Sequence, residues 1–355
     1  MNNNIEISNI TKHFFIDNKN CNNNEKNKIY NTKLINYCFY SINEANISDL
    51  IKKIPYYSNN YQIVEDYDFI NISQLNDIYI EKLKIDENNR YLIFTYKNDR
   101  LINFNDFLLN LYNPRVFILN TIESFSYILG SLIKLTHNNI CFFNLSPQNI
   151  VFNLDCGEKP QLKDFQFSLQ VSKLNINYIT NIIEKIDTFT HKPLEVHVLF
   201  YLIKNDISTV SYSFIEEICE VFNKNLTILN LFSEKIKNVY KEKCIESLKK
   251  YINKSKEEII EQIIEQNDKW DVYSISMIYL HIFCNISRVF SLKEEFITKL
   301  IGELYKNISP EPSYRNSLEI LNENYNKLLS NESKWSFVNK VEPNKMIMLF
   351  EILEK

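Results

Sequence analysis

The stretch that decides the fold is residues 142–151, Phe-Phe-Asn-Leu-Ser-Pro-Gln-Asn-Ile-Val, followed at residues 164–166 by Asp-Phe-Gln. Asn113-Pro114 is typical of a helix start, and apolar residues at helical spacing continue from there to about Leu135. Residues 150–162 predict a short pair of strands around a turn. The sequence therefore predicts a polar loop between a long apolar helix and a short strand pair.

This stretch resembles the catalytic loop and the metal-binding segment of protein kinases, usually written H-R-D-L-K-P-E-N and D-F-G. Asn149 and Asp164 occupy the two positions that would hold magnesium. Asn144 occupies the position of the catalytic aspartate, Ser146 that of the loop lysine, and Phe142-Phe143 that of the histidine and arginine. The resemblance implies a kinase fold that has lost its catalytic groups.

Three further segments continue the resemblance in the same order. Residues 192–195 (Lys-Pro-Leu-Glu) are similar to the A-P-E end of the activation segment, and residues 270–275 (Trp-Asp-Val-Tyr-Ser-Ile) to the start of the central buried helix. Residues 312–315 end in an arginine where kinases pair one with the A-P-E glutamate. The resemblance implies that Asp271 caps the catalytic-loop backbone. It also implies that Glu195 and Arg315 form a buried ion pair.

The fold implied by the resemblance is α+β, with a small β-rich N-terminal lobe and a large α-helical C-terminal lobe. We assign residues 1–97, which begin with a polar and partly irregular segment, to the small lobe. Residues 98–330 form the predicted large lobe, and residues 331–355 a C-terminal helical extension. The connection at about residues 197–267 is longer than kinases usually have, and its amphipathic pattern predicts a helical insertion.

The small lobe departs from the kinase pattern in the groups that hold phosphates. No glycine precedes Gly130, so the glycine-rich phosphate loop is missing from the sequence. β-forming residues predict strands at residues 37–42, 68–72 and 91–96. The strand at 37–42 is the one most similar to the lysine-bearing strand, but it has no lysine. Lys33 is the nearest upstream candidate and Glu44 is its candidate helix partner, although neither matches the family position.

The residue changes in the loop bear directly on phosphoryl transfer. Asn144 cannot act as a base because an amide does not titrate near neutrality. The loss of a general base typically costs about 10² to 10⁴ in rate. Asn149 and Asp164 could still hold Mg²⁺, and ATP through it, or they could simply hydrogen-bond the surrounding loops.

Composition narrows the class of protein. The 355 residues carry a net charge of −4, which gives no general attraction to nucleic acid or to anionic membranes. No apolar run predicts a membrane span, and the polar start does not resemble a signal peptide, so we expect a cytoplasmic or intracellular location. The seven cysteines show no metal-binding spacing.

The abundance of Asn, Ile, Lys and Tyr suggests an A/T-rich genome, such as that of a protist or a large DNA virus. If the protein is viral, its location would be the host cell or the virion.

Three functions remain open at this point. The first is a catalytically impaired protein-kinase-like protein, or pseudokinase, that acts as a binding, scaffold or regulatory partner of another protein. The second is a divergent but active ATP-dependent serine/threonine kinase, and the third is a structural viral protein. ATP and Mg²⁺ are the candidate cofactors, and the oligomeric state is not indicated. Phosphate transfer would single out the second function, and nucleotide binding without transfer would favour the first over the third.

Overall fold

The computed structural model describes residues 5–6, 30–70, 89–186, 190–205, 207, 209–292, 295–330 and 341–354. Within these residues the protein is mixed α+β, with small sheets and a helical majority, which confirms the predicted class. Most of the predicted irregular start lies outside the described residues, and so do residues 331–340 of the predicted C-terminal extension.

The chain divides by its internal contacts into two compact units. The first unit comprises residues 1–102 and 151–168, and the second comprises residues 103–150 and 169–355. Residues 151–168 thus group with the N-terminal segment and not with the large lobe to which the sequence analysis assigned them. Backbone hydrogen bonds explain this grouping: the Gln62 N–H donates to the Leu162 carbonyl at 2.8 Å, and the Leu162 N–H to the Asn60 carbonyl at 2.9 Å.

The main sheet of the first unit has four strands in the order β1-β2-β4-β3, all antiparallel to their neighbours. The strands are β1 (Ile5–Glu6), β2 (Tyr30–Asn36), β3 (Asp66–Ile70) and β4 (Tyr91–Lys97). A buried cluster of Ala45, Val64, Leu92 and Phe94 packs helix α1 (Phe39–Ile51) against this sheet. Strand β4 confirms the prediction at residues 91–96, and β3 overlaps the one at residues 68–72.

The predicted strand at residues 37–42 is wrong, because β2 ends at Asn36 and the helix begins at Phe39. Cys38 precedes the helix, and Ser41 fixes this start: its hydroxyl donates to the Cys38 carbonyl at 3.0 Å and accepts from the Cys38 N–H at 2.9 Å. Ile47 and Ile51 are buried four residues apart, which is helical spacing. Burial of this face outweighs the β propensity of the aromatic residues at the start of the segment.

Short strands complete the β structure. A three-stranded sheet has the order β5-β7-β8, from β5 (Leu101–Asn103), β7 (Ile150–Asn153) and β8 (Lys159–Leu162). In the second unit, β6 (Ile140–Cys141) pairs antiparallel with β9 (Leu169–Gln170).

Helices make up most of the second unit. They are α2 (Phe104–Leu109), α3 (Pro114–His137), α4 (Ile176–Glu184), α5 (Leu194–Lys204), α6 (Tyr212–Asn225), α7 (Glu234–Leu248), α8 (Lys256–Ile264), α9 (Trp270–Val289), α10 (Glu295–Asn307), α11 (Leu318–Leu329) and α12 (Met346–Leu353). The core lies around α9, where the Tyr279 ring is 5.0 Å from that of Phe125, and the Phe125 ring is 4.8 Å from that of Tyr325. This packing ties α3, α9 and α11 together.

The region predicted as a helical insertion is helical, and it packs onto the rest of the second unit. The Tyr240 hydroxyl donates to the Ile308 carbonyl at 2.7 Å, and the Ser247 hydroxyl donates to the Pro310 carbonyl at 3.2 Å. Where the C-terminal extension is described it forms α12, and Phe350 of this helix lies 5.9 Å from the Phe117 ring.

Among the described residues, only α3 is long and apolar enough to cross a membrane by length and composition, and 56% of its apolar window is buried. Phe117, Phe125 and Leu129 on this helix have no exposed surface. A core helix of this kind meets the same criterion as a spanning helix, so α3 is consistent with the expected lack of a membrane span.

Candidate functional site

A cavity of about 310 Å³ lies in the first unit, and its lining is rich in charged side chains. Six of the lining residues are ionisable: Lys33, Glu44, Lys97, Asp99, Lys163 and Asp164. They come from β2, α1, the end of β4 and the turn after β8. The fold therefore brings together the two candidates Lys33 and Glu44 with Asp164.

Lys33 and Glu44 are linked through Tyr96, which also lines the cavity. The Lys33 ammonium lies 5.2 Å from the centre of the Tyr96 ring, and the Tyr96 hydroxyl is hydrogen-bonded to the Glu44 carboxyl. Burial, and after it the negative charge of Asp164, raise the pKa of Glu44 to about 8, against the opposing effects of the Lys33 charge and the Tyr96 hydrogen bond. Near neutral pH the Glu44 carboxyl is therefore largely protonated.

Asp164 has a left-handed backbone, with φ of 63° and ψ of 66°. This conformation costs an L-residue about 1 to 2 kcal/mol and persists only when the surroundings impose it. The following segment supplies that constraint, because the Asn43 amide on α1 donates to the Gln166 carbonyl at 3.0 Å and to the Ser168 carbonyl at 2.8 Å. Phe165 is fully buried against Tyr61, with ring centres 6.0 Å apart. The backbone at Asp164 is thus held beside the cavity through the contacts of the residues that follow it.

A network of amides and a carboxylate forms one wall of the cavity. The Gln62 amide donates to Asp99 Oδ2 and to Gln161 Oε1, both at 2.8 Å. The Asn153 amide donates to the same Asp99 oxygen at 2.9 Å. Gln161 and Asn153 have no exposed surface. A satisfied, buried network of this kind fixes the wall rigidly.

In the second unit, Asp271 caps the backbone of the loop at residues 142–149, as expected from the resemblance. The Phe142 N–H donates to Asp271 Oδ2 at 2.7 Å, and the Phe143 N–H donates to Oδ1 at 2.8 Å. Phe143 has a left-handed backbone with φ of 62°, and its ring packs 5.2 Å from that of Trp270. The two phenylalanines are buried and fill the space under the loop.

Lys192 holds the same loop from the other side. Its buried ammonium donates to the Phe143 carbonyl at 2.8 Å and to Asn144 Oδ1 at 3.0 Å, and lies 4.6 Å from the Phe143 ring centre. Burial lowers the pKa of Lys192 to about 8, and the charge of Asp271 limits the fall. Asn144, at the position that the resemblance gives to the catalytic aspartate, therefore already accepts a hydrogen bond from an ammonium of the protein.

Asn149 is buried in the second unit, and the Ser146 hydroxyl donates to its Oδ1 at 2.6 Å. Ser146, at the position that the resemblance gives to the loop lysine, thus provides the Asn149 oxygen with a local partner. Asn149 belongs to the second unit and Asp164 to the first.

Glu195 and Arg315 form the ion pair that the sequence analysis expected. Arg315 Nη1 and Nη2 donate to the two carboxylate oxygens at 2.6 and 2.9 Å, and the two side chains are 0% and 2% exposed. Arg315 Nε also donates to the Ser309 carbonyl at 2.8 Å, and the guanidinium lies 5.0 Å from the Tyr273 ring centre. This pair joins α5 to the turn before α11 and is a structural contact.

The two candidate cofactors fit these residues unequally. The cavity volume falls within the roughly 300 to 1,000 Å³ of small-molecule pockets, and its ammonium groups suit the phosphates of ATP. Magnesium fits less well. Asp164 Oδ2 lies 3.7 Å from the Lys163 ammonium, and among the described residues no group of three His, Cys, Asp or Glu side chains could hold a metal ion.

Sequence reasoning missed two of these groups, Lys163 and Lys192. Lys192 begins the segment similar to A-P-E and Lys163 directly precedes Asp164, but the family pattern assigns no role to a lysine at either position. Comparison with known proteins adds no assignment: no protein-family model matches the chain, and no curated protein matches it.

Proposed function

We propose that this chain is a protein-kinase-like protein with impaired catalysis, a pseudokinase, which binds a nucleotide in the first unit and acts by binding a protein partner. The observation that carries the proposal is the convergence of Lys33, Glu44 and Asp164 on one cavity. Kinases hold nucleotide phosphates with a strand lysine, a helix glutamate and the D-F-G aspartate. Here the same three residue types come from a strand, a helix and the turn that carries Asp-Phe-Gln.

The side chains of the cavity replace the missing glycine-rich loop as phosphate ligands in this proposal. Lys33, Lys97 and Lys163 all line the cavity. An ammonium binds a phosphate as a compact point charge and needs no close backbone approach. The absence of glycine before Gly130 is therefore compatible with nucleotide binding, although it removes the backbone cradle.

Impaired transfer is supported by the surroundings of Asn144. Its amide cannot accept a proton from a substrate hydroxyl, and its oxygen already accepts a hydrogen bond from Lys192. Loss of the general base alone costs about 10² to 10⁴ in rate. The proposal therefore assigns the chain a binding role in which the nucleotide is a ligand and not a substrate.

A divergent active kinase is the second candidate, and the same cavity favours it. Phosphoryl transfer depends mainly on positioning and on charge stabilisation, so a chain without a base could still transfer phosphate slowly. A purely structural viral role makes no use of the cavity, and no specific contact favours it. An intracellular location stays a prediction for both candidates.

The first experiment measures the thermal midpoint with and without ATP for the wild type, Lys33→Ala and Lys52→Ala. Lys52 lies in the same unit but pairs with Asp49 and does not line the cavity, so it is the matched control. A ligand at about 100 times its dissociation constant stabilises by about 2.7 kcal/mol. We expect that stabilisation in the wild type and in Lys52→Ala, and its loss in Lys33→Ala. No shift in the wild type at millimolar ATP would show the nucleotide proposal to be wrong.

A transfer assay with γ-labelled ATP then separates the two candidates. We expect no labelled product from the wild type, and none from Asn144→Asp. The introduced carboxylate would lie beside the Lys192 ammonium and form an ion pair with it, so it would be a poor base. Transfer by the wild type would establish the active kinase instead.

A further inference from the structure

The two oxygens that the family pattern offers to magnesium each have a partner within the protein. Asp164 Oδ2 lies 3.7 Å from the Lys163 ammonium, and Asn149 Oδ1 accepts a hydrogen bond from Ser146 at 2.6 Å. A divalent cation that approached Asp164 would meet the positive charge of Lys163 at close range. The residues at these positions therefore do not fit a resident Mg²⁺ ion.

The other carboxylates of the cavity do not offer a better site. Asp99 Oδ2 already accepts two amide hydrogen bonds, at 2.8 and 2.9 Å. Glu44 is hydrogen-bonded to Tyr96 and lies within the field of Lys33. Within the described part of the cavity each carboxylate is thus matched to a donor or an ammonium of the protein.

The lysine ammonium groups of the cavity, in contrast, lie where they can bind an anion. Lys33 lies above the Tyr96 ring, and Lys163 lies next to Asp164, and both line the same cavity. The Lys163 side chain is 30% exposed and that of Asp164 is 49% exposed, so their pair is accessible to a ligand. A half-exposed pair of this kind is weak and can exchange partners at little cost.

We infer that this cavity binds the polyphosphate of a nucleotide without a divalent metal ion, and that the Lys163 ammonium supplies the positive charge that magnesium supplies in active kinases. The inference rests on the proposed nucleotide binding and specifies its chemistry. Lys163 bridges Asp164 and the phosphates, and Lys33 contacts the phosphates from the sheet side. Metal then has no place in the complex, and added Mg²⁺ competes with the protein for free ATP.

The test is direct titration of a fluorescent ATP analogue against the full chain in EDTA and in excess Mg²⁺. The proteins are the wild type, Lys163→Ala, Lys163→Arg and the distant control Lys52→Ala. We expect the wild type and Lys52→Ala to bind in EDTA at least as tightly as in Mg²⁺. Lys163→Ala should bind about tenfold or more weakly in EDTA, because a hydrogen bond to a charged group is lost. Lys163→Arg keeps the charge and should bind within a few-fold of the wild type.

Each outcome has a separate meaning. Binding by the wild type only in Mg²⁺ would overturn the inference and leave the proposed nucleotide function intact. The inference would also be overturned if Lys163→Ala bound the analogue in EDTA as tightly as the wild type does. Binding in neither condition would overturn the proposed function itself. The thermal midpoint of Lys163→Ala without ligand shows whether the variant is folded, and the exposed position of this pair predicts a midpoint close to that of the wild type.

Discussion

Asp271→Asn is the change that tests most directly whether the loop at residues 142–149 is held by its cap. Asp271 is buried and accepts two backbone N–H bonds, at 2.7 Å from Phe142 and 2.8 Å from Phe143. Asparagine can accept only one of them, because its amide nitrogen presents hydrogens to the second N–H. One charge-assisted bond is therefore lost, at about 1.5 to 3 kcal/mol, and a buried donor remains unsatisfied. Asparagine also removes the negative charge that faces Lys192. We expect a total loss of about 2 to 4 kcal/mol in the free energy of unfolding.

The assay is urea unfolding followed by tryptophan fluorescence. The chain has two tryptophans, and Trp270 is adjacent to the cap and 5.2 Å from the Phe143 ring, so it reports the loop directly. Asp268→Asn is the matched control, since Asp268 is 53% exposed and pairs with the neighbouring Lys269 at 2.9 Å, a contact worth less than about 1 kcal/mol. Asp271→Ala should cost more than Asp271→Asn because both bonds are lost. If Asp271→Asn costs no more than Asp268→Asn, the cap does not hold the loop and the reasoning is refuted.

Two further predictions concern ionisable pairs in the two units. The pKa of Glu44 is about 8 in the folded protein against an ordinary 4.5, so the folded state loses stability as the pH rises from about 5 through 8. Glu44→Gln stays neutral, so it should be as stable as the wild type near pH 5 and more stable by about 2 kcal/mol near pH 9. Parallel curves of unfolding free energy against pH for the two proteins would contradict the assignment. Glu195→Gln leaves the buried Arg315 without its counter-charge and should lower the free energy of unfolding by about 3 to 5 kcal/mol. Glu234→Gln, on an exposed pair with Lys237, should leave it almost unchanged. Urea unfolding of both variants decides whether burial makes this difference.

The order of the motifs along the chain was enough to predict two contacts between residues that are far apart in the sequence. Glu195 and Arg315 are 120 residues apart, and no local rule of propensity or periodicity relates them. Their pairing, and the capping of the loop by Asp271, came from the family resemblance alone. Helix α3 came from periodicity, because its apolar residues follow helical spacing. Strand β4 came from its β-forming residues, and its first four residues are buried in succession.

The errors and omissions have a common physical origin. The segment at residues 37–42 combines β-forming aromatic residues with the start of a helix, and the choice between them is made by the buried face of Ala45, Ile47 and Ile51 further along. Lys192 was missed because its hydrogen-bond partners are brought together by the tertiary fold, and Lys163 because only the fold shows that it lines the cavity. Lys192 is buried only because the Phe143 carbonyl and the Asn144 amide come within hydrogen-bond distance, and their positions are set by the cap at Asp271.

The same contacts bear on how the loss of catalysis would be built into the fold. If Asn144 were the only change from an active kinase, restoring an aspartate there would be expected to restore a base. The loop, however, is adapted around the amide: Lys192 donates to its oxygen from a buried position, and Ser146 donates to Asn149 where the family has a lysine. A carboxylate at residue 144 would be stabilised as an anion by Lys192, which lowers its proton affinity and opposes its action as a base. On the proposed function, several substitutions together, and not the one at residue 144 alone, would therefore separate this loop from a catalytic arrangement.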